Sequence, residues 1–264
     1  MSARRSLFGS PFQSTPKGLA AIAIAFHFAP APAFAVDEIQ VYNAEIAEPG
    51  QFTLQQHLNY VWSGSTTPDF AGGFASNRTL NGTPELAYGV TDWYEIGLYA
   101  PFAFDSSGTF LPGGVKLRQL FVSPHAESRT FFYGINFELS YQAPRFSQSA
   151  VGFEIRPILG LRDKGWEMIV NPIVDLSFAP DGASAFAPAA RLARQVGADT
   201  WIGVEYYANY SPIGAIPPAD QQQHTLFGVA DFKLFGLDVN VGMGVGLTSS
   251  SDGLVTKLII GRAF

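Results

Sequence analysis

The 264-residue chain has no cysteine, three methionines and four histidines. Without cysteine there are no disulfides and no thiolate metal sites. Charge is also thin: Asp, Glu, Lys and Arg make up 14% of the residues, against about 25% in an average soluble domain. After residue 35 no window offers the roughly 18 consecutive apolar residues of a membrane-spanning helix, which excludes a helical membrane protein. Neither G-x-S-x-G nor H-E-x-x-H occurs, so the common nucleophile-elbow and zinc-protease motifs are absent. What remains is 47% hydrophobic and 14% aromatic, with 27 glycines. That composition suits a large buried sheet or a lipid-facing one.

The first 35 residues have the order of a secretory leader: Arg4, Arg5 and Lys17, then the apolar run Gly18 to Ala29, then PAPAFA ending Ala33-Phe34-Ala35. Cleavage is expected after Ala35, with Ala33 and Ala35 as the small residues of the site. Residues 1–35 carry three basic and no acidic residues, so 13 Lys and Arg would then face 22 Asp and Glu, a net charge of −9. Such acidity disfavours nucleic acid as a partner. Residues 36–50, VDEIQVYNAEIAEPG, read as a periplasmic tail before the main domain, with a plug as the alternative.

From Gln51 onward the pattern has a period of two, the signature of strands. Tyr94, Ile96, Leu98, Ala100 and Phe102 alternate with Glu95, Gly97 and Tyr99, and upstream Leu86, Tyr88 and Val90 oppose Glu85, Ala87 and Gly89. Thr91-Asp92 joins the two runs as a hairpin. The same grammar recurs around Phe52–Trp62, Ile135–Gln142, Phe153–Arg162, Trp166–Phe178 and Leu237–Val245, with less regular segments between. About twelve strands of roughly ten residues result, long enough to cross a bilayer at a tilt. The expected fold is all-β: a transmembrane antiparallel up-and-down barrel over residues 51–264.

Connections support this. One alternate set is Ser63 to Thr79, Asp105 to Gly113, Ala143 to Ala150, Ala179 to Ser184, Ser211 to Gln223 and Ser249 to Gly253. The other is shorter on average: Thr91-Asp92, Ser123 to Arg129, Arg162 to Gly165, Val196 to Asp199 and Phe235-Gly236. Long outer loops and short periplasmic turns are the habit of outer-membrane barrels. Trp93, Trp166 and Trp201 follow short turns, where an aromatic girdle belongs, although strict alternation turns Trp93 and Trp201 inward. The terminal Phe264, after alternating Leu258 and Ile260, resembles the C-terminal signal read by barrel-assembly machinery; Arg262 departs from it.

Parity assigns the inward face. It carries Glu85, Glu95, Lys116, Arg118, Glu138, Glu154, Arg156, Glu167, Asp175, Arg191, Glu205, Asp231, Lys233, Asp238 and Lys257. Mixed signs there suit either a polar passage or a salt-bridged filling, and twelve strands fall between the filled eight-stranded barrel and the open sixteen-stranded one. Gly242, Gly244 and Gly246 share that face, leaving room, admitting a loop or marking a bend. TTPDFAGGFASN and SPIGAIPPADQQQ are expected to fold over the mouth. His57 shares a face with Asn59, His125 falls in a turn and His224 at a strand start, so no metal trio and no catalytic set is assigned.

The stretch LAYGVTDWYEIGLYAPF resembles the outer-membrane transporters grouped as the MetA-pathway phenol-degradation family, through Tyr88, Gly89, Thr91, Asp92, Glu95, Gly97 and Pro101. The resemblance implies a small outer-membrane barrel passing small, hydrophobic or aromatic molecules, and carries over no substrate residue. The expected function is passive passage of small solutes without a cofactor, with outer-membrane lipid, the assembly machinery and a small solute as partners. A closed structural or surface-interaction barrel is the alternative, and a lipid-modifying enzyme acting through His57 the third.

Overall fold

The computed structural model describes residues 38–178 and 184–264; the expected leader and its cleavage site lie outside them. Twelve antiparallel strands close into a barrel. They are β1 (Phe52–Ser63), β2 (Leu80–Thr91), β3 (Tyr94–Tyr99 and Phe102–Phe104), β4 (Phe110–Pro112 and Gly114–Val122), β5 (Phe131–Gln142) and β6 (Val151–Asp163). The second half is β7 (Trp166–Asn171 and Val174–Ser177), β8 (Ala185–Phe186 and Ala189–Gly197), β9 (Thr200–Asn209), β10 (Gln223–Leu234), β11 (Leu237–Gly246) and β12 (Leu254–Ala263). Each strand pairs with its sequence neighbours, and β1 pairs with both β2 and β12, so the barrel is closed; at the loop end Phe110–Pro112 pairs on one side alone, with Phe102–Phe104. Phe264 helps to close the seam: its backbone exchanges hydrogen bonds with Phe52, and the two rings stack 6.1 Å apart.

The period-two pattern has the physical result expected of it. Leu98, Leu139, Leu159 and Met168 stand exposed on the outside, while their neighbours in sequence are buried. An exposed apolar surface of this extent is unfavourable in water and suits a hydrocarbon surround. Two-residue turns tie the short end: Lys164-Gly165 and Phe235-Gly236 both place two successive residues at positive φ, the backbone of a type I′ hairpin. The loop expected at Asp105 to Gly113 is shorter, because the chain resumes pairing at Phe110, opposite Phe104.

Four strands are broken in two, and at each break a proline or glycine interrupts the ladder. In β3 and β4 the break is Pro101 opposite Gly113, joined by one bond from Gly113 N–H to the Pro101 carbonyl (2.7 Å). In β7 and β8 it is more extended. Flanking pairs Leu159↔Val170 and Ile155↔Val174 put Pro157 opposite Pro172, and Asn171↔Ala189 with Val174↔Phe186 put Pro172 opposite Pro188. Three prolines therefore lie side by side across β6, β7 and β8. None has an N–H to give the ladder, and the single backbone bond across the β7–β8 break runs from Ala187 to Ile173 (2.9 Å).

Candidate functional site: the barrel lumen

Residues 38–50 do not form a tail. They enter the barrel at its short-turn end, where Gly50 N–H bonds the Gly89 carbonyl (2.8 Å), and run up the lumen. Ala47 donates its N–H to Glu95 Oε2 (2.6 Å), Tyr42 N–H reaches Asn171 Oδ1 (2.7 Å), and Asn171 Nδ2 returns a bond to the Tyr42 carbonyl (3.1 Å). Higher up, Lys257 Nζ donates to the Ile39 carbonyl (3.1 Å) and Arg156 to that of Gln40 (3.3 Å). Ile39, Val41, Tyr42, Ala44 and Ala47 are buried, and Val41, Tyr42 and Ala44 pack with Leu120, Phe132, Ile158 and Ile169 of the wall. The apolar residues of the segment meet a lumen that is not uniformly polar, which the parity reading did not register.

Around this segment the inward charges are paired. On one side Arg118 of β4 bridges Glu85 of β2 (2.7 Å) and Glu95 of β3, while His57 of β1 lies 3.4 Å from Glu85. On the other, Arg191 of β8 holds Glu167 of β7 (3.1 Å), Glu205 of β9 (2.8 Å) and Asp231 of β10. Lys257 of β12 also bonds Glu205 (2.5 Å), Arg162 of β6 bonds Glu167, and Asn240 of β11 donates to Asp231 (2.6 Å). Lys116 reaches Glu138 of β5 (3.0 Å) and Glu38 of the segment (3.5 Å), and Arg156 pairs with Glu154 (2.8 Å). All twelve strands contribute to these contacts. Opposite charges on neighbouring strands offset most of the cost of taking either out of water.

Two of the fifteen parity assignments need correcting. Lys233 and Asp238 pair with each other (2.5 Å) at the short-turn rim, each more than half exposed. They lie beside the Phe235-Gly236 tip, where the hairpin projects past the lumen. Asp175 faces a cavity described below. Trp93, which alternation turned inward, is outside and stacks on Phe121 at 6.1 Å, because a register shift between Gly89 and Thr91 reverses its side. Arg162, read as the start of a turn, belongs to the network; its parity with Arg156 was the available signal. Tyr42, Tyr99 and Tyr207 were not singled out. The hydroxyls of Tyr42 and Tyr99 meet at 2.9 Å, the Arg156 guanidinium lies 4.1 Å from the Tyr42 ring, and Tyr207 donates to Glu205 (2.6 Å).

The inward glycines of β11 are covered, not empty. A side chain on Gly244 would meet the Phe227 ring at 2.5 Å, and one on Gly246 the Asp252 carbonyl at 2.4 Å. Here glycine lets a ring and a loop approach the backbone.

Above the segment, towards the long loops, a cavity of about 290 Å³ remains. Glu38, Ile39 and Gln40 line it alongside wall residues, and Phe70, Phe74 and Phe146 bring loop side chains to it. The 64–79 loop folds inward as expected, Phe74 meeting Phe146 edge-on at 5.1 Å. The 211–222 loop does not: Ile213 and Ile216 are exposed. Among the described residues no group of three or more His, Asp or Glu is arranged for a metal ion.

Comparison with solved structures gives the class. An outer membrane channel from Pseudomonas putida F1 superposes with a TM-score of 0.61 at 13% identity, covering 86% of this chain and all of that one. The NanC porin gives 0.51 at 7% identity, over 80% of this chain and 98% of its own. No family model and no curated protein matches the sequence. The chain thus has the fold of an outer-membrane β-barrel.

Proposed function

We propose that the protein sits in the bacterial outer membrane, delivered by a cleaved leader and folded by the barrel-assembly machinery, and passes small solutes passively. In this reading residues 38–50 are its closure. The observation that carries it is how the segment is held. It has no strand ladder to the wall and is fixed by a few hydrogen bonds, ion pairs and small apolar side chains, so its departure leaves every strand pairing intact. The route it vacates is lined with charge and ends at an existing cavity. His57 lies inside the lumen as a partner of Glu85, which supports a role in the wall.

The test is conductance and vesicle swelling with refolded residues 36–264 beside a form starting at residue 48. The shorter form is expected to conduct more and to admit small sugars, amino acids and simple aromatics faster. A folded barrel that is tight in both forms would refute the reading and favour a closed barrel acting through its outer loops.

A further inference from the structure

The loop-side cavity carries unbalanced charge. Its lining includes six carboxylates, Glu38, Asp69, Glu138, Glu154, Asp175 and Asp252. Three cations face them: Lys116 pairs with Glu38 and Glu138, Arg156 pairs with Glu154, and Arg145 is exposed at the rim. Among the described residues neither Asp69 nor Asp252 has a cationic partner, and Asp252 accepts a hydrogen bond from the Ser76 hydroxyl (2.5 Å). Burial raises both aspartates above their ordinary pKa, and in Asp69 the Asp252 charge adds to the effect. A bound cation would offset both effects, because it supplies the missing opposite charge beside the two carboxylates. Beside these groups stand rings: Phe70, Phe74 and Phe146 from the loops. Rings and carboxylates together form the surface that favours a cation with an apolar body. The volume, about 290 Å³, lies at the small end of the ~300–1,000 Å³ typical of ligand sites, enough for one ring and not for several.

We propose that this cavity is a binding site for small single-ring organic ammonium ions, the ammonium seated between Asp69 and Asp252 and the ring against Phe70, Phe74 and Phe146. The inference names a substrate class for the passage proposed above. It rests on that passage for its role, not for its occurrence.

Calorimetric titration of the whole mature chain in detergent micelles tests it with three probes of one shape: phenethylammonium, phenethyl alcohol and phenylacetate. The ammonium ion is expected to bind at least about tenfold more tightly than the alcohol, a ~1.4 kcal/mol preference, and phenylacetate more weakly still. In a D69N/D252N double variant the preference should vanish while the alcohol binds as before; the comparison of probes on the unaltered chain stands even if that variant does not fold. Equal binding of the three probes, or a preference that survives in a folded double variant, would overturn the proposal. Saturable ammonium binding to a barrel with no solute flux would uphold the site and sink the passage. Flux that ignores probe charge, with no ammonium preference in binding, would uphold the passage and sink the site.

Discussion

Arg191→Ala removes the cation on which most carboxylates converge. Its guanidinium touches Glu167, Glu205 and Asp231 from three other strands, and its side chain is 7% exposed, with Glu167 at 6% and Glu205 at 2%. Removing one member of a buried pair costs ~3–5 kcal/mol, because the remaining charge keeps its desolvation penalty and loses its partner. Three features moderate this. Glu205 keeps Lys257, Glu167 keeps Arg162, and Asp231 is 31% exposed and keeps Asn240. The expected loss is therefore near the bottom of the range, about 3 kcal/mol. Urea unfolding in lipid vesicles, followed by tryptophan fluorescence and by the gel shift of the folded barrel, would measure it. Arg191→Lys keeps a charge but not the planar fork that serves three partners, so a loss of about half that size is expected. A loss below about 1 kcal/mol for Arg191→Ala, the size of an exposed surface pair, would refute the claim that these contacts act as a desolvated network.

Three further outcomes are expected. Gly114 has φ of +119°, and a Cβ there would lie 1.9 Å from the Tyr141 carbonyl oxygen; Gly114→Ala should sharply lower the folded fraction in a gel-shift refolding assay, and normal yield would contradict the geometry. The raised aspartates make a pH prediction: Asp69 and Asp252 hold protons in the folded state at pH values where the unfolded chain has released them. Their cost to stability is thus present at neutral pH and disappears as pH falls through the raised values, while phenethylammonium binding weakens over the same fall, beginning above the ordinary aspartate range. Titrations from neutral to acid pH would contradict this if binding strengthened. Finally, amides of Val174–Ser177 and Ala185–Phe186, short ladders separated from Trp166–Asn171 by the proline seam, should exchange with deuterium about tenfold faster than those of Trp166–Asn171, since short ladders open locally at lower cost.

The barrel was legible because each strand has lipid on one side and polar groups on the other, and that contrast is written in successive residues. Leu139 beside Glu138 and Met168 beside Glu167 point opposite ways as the alternation required. The reading failed where local geometry interrupts parity. A register shift turned Trp93 outward, and a hairpin tip carried Lys233 and Asp238 beyond the lumen. The segment 38–50 was harder, because it has no regular structure and its partners Asn171, Arg156 and Lys257 are 116 or more residues away in sequence. Ile39, Val41 and Tyr42 are its trace in the sequence: apolar side chains of that size are out of place in a solvated tail. Which cation meets which carboxylate was equally hidden, since parity gives a face and the register chooses the partner.

The same network would let a barrel closed by its own segment open, as the proposed passage requires. Burying Ile39, Val41 and Tyr42 favours the inserted segment by roughly 1.5–3 kcal/mol for each large apolar side chain, before the entropy of ordering it is subtracted. If the lumen were apolar, withdrawal would leave a dry cavity and a large penalty. Here it uncovers Glu95, Asn171, Arg156 and Lys257, each of which bonds the segment. Water entering from the short-turn end can replace those bonds, and the wall pairs Arg118 with Glu95 and Lys257 with Glu205 remain in place. The polar groups therefore contribute little to the difference between the two states, and the apolar side chains of the segment set the balance. Replacing Val41 and Tyr42 with Ser should shift it: channel openings in planar bilayers should become more frequent at unchanged barrel stability. A rise in openings accompanied by loss of the folded gel band would mean instead that the segment is part of the wall's core.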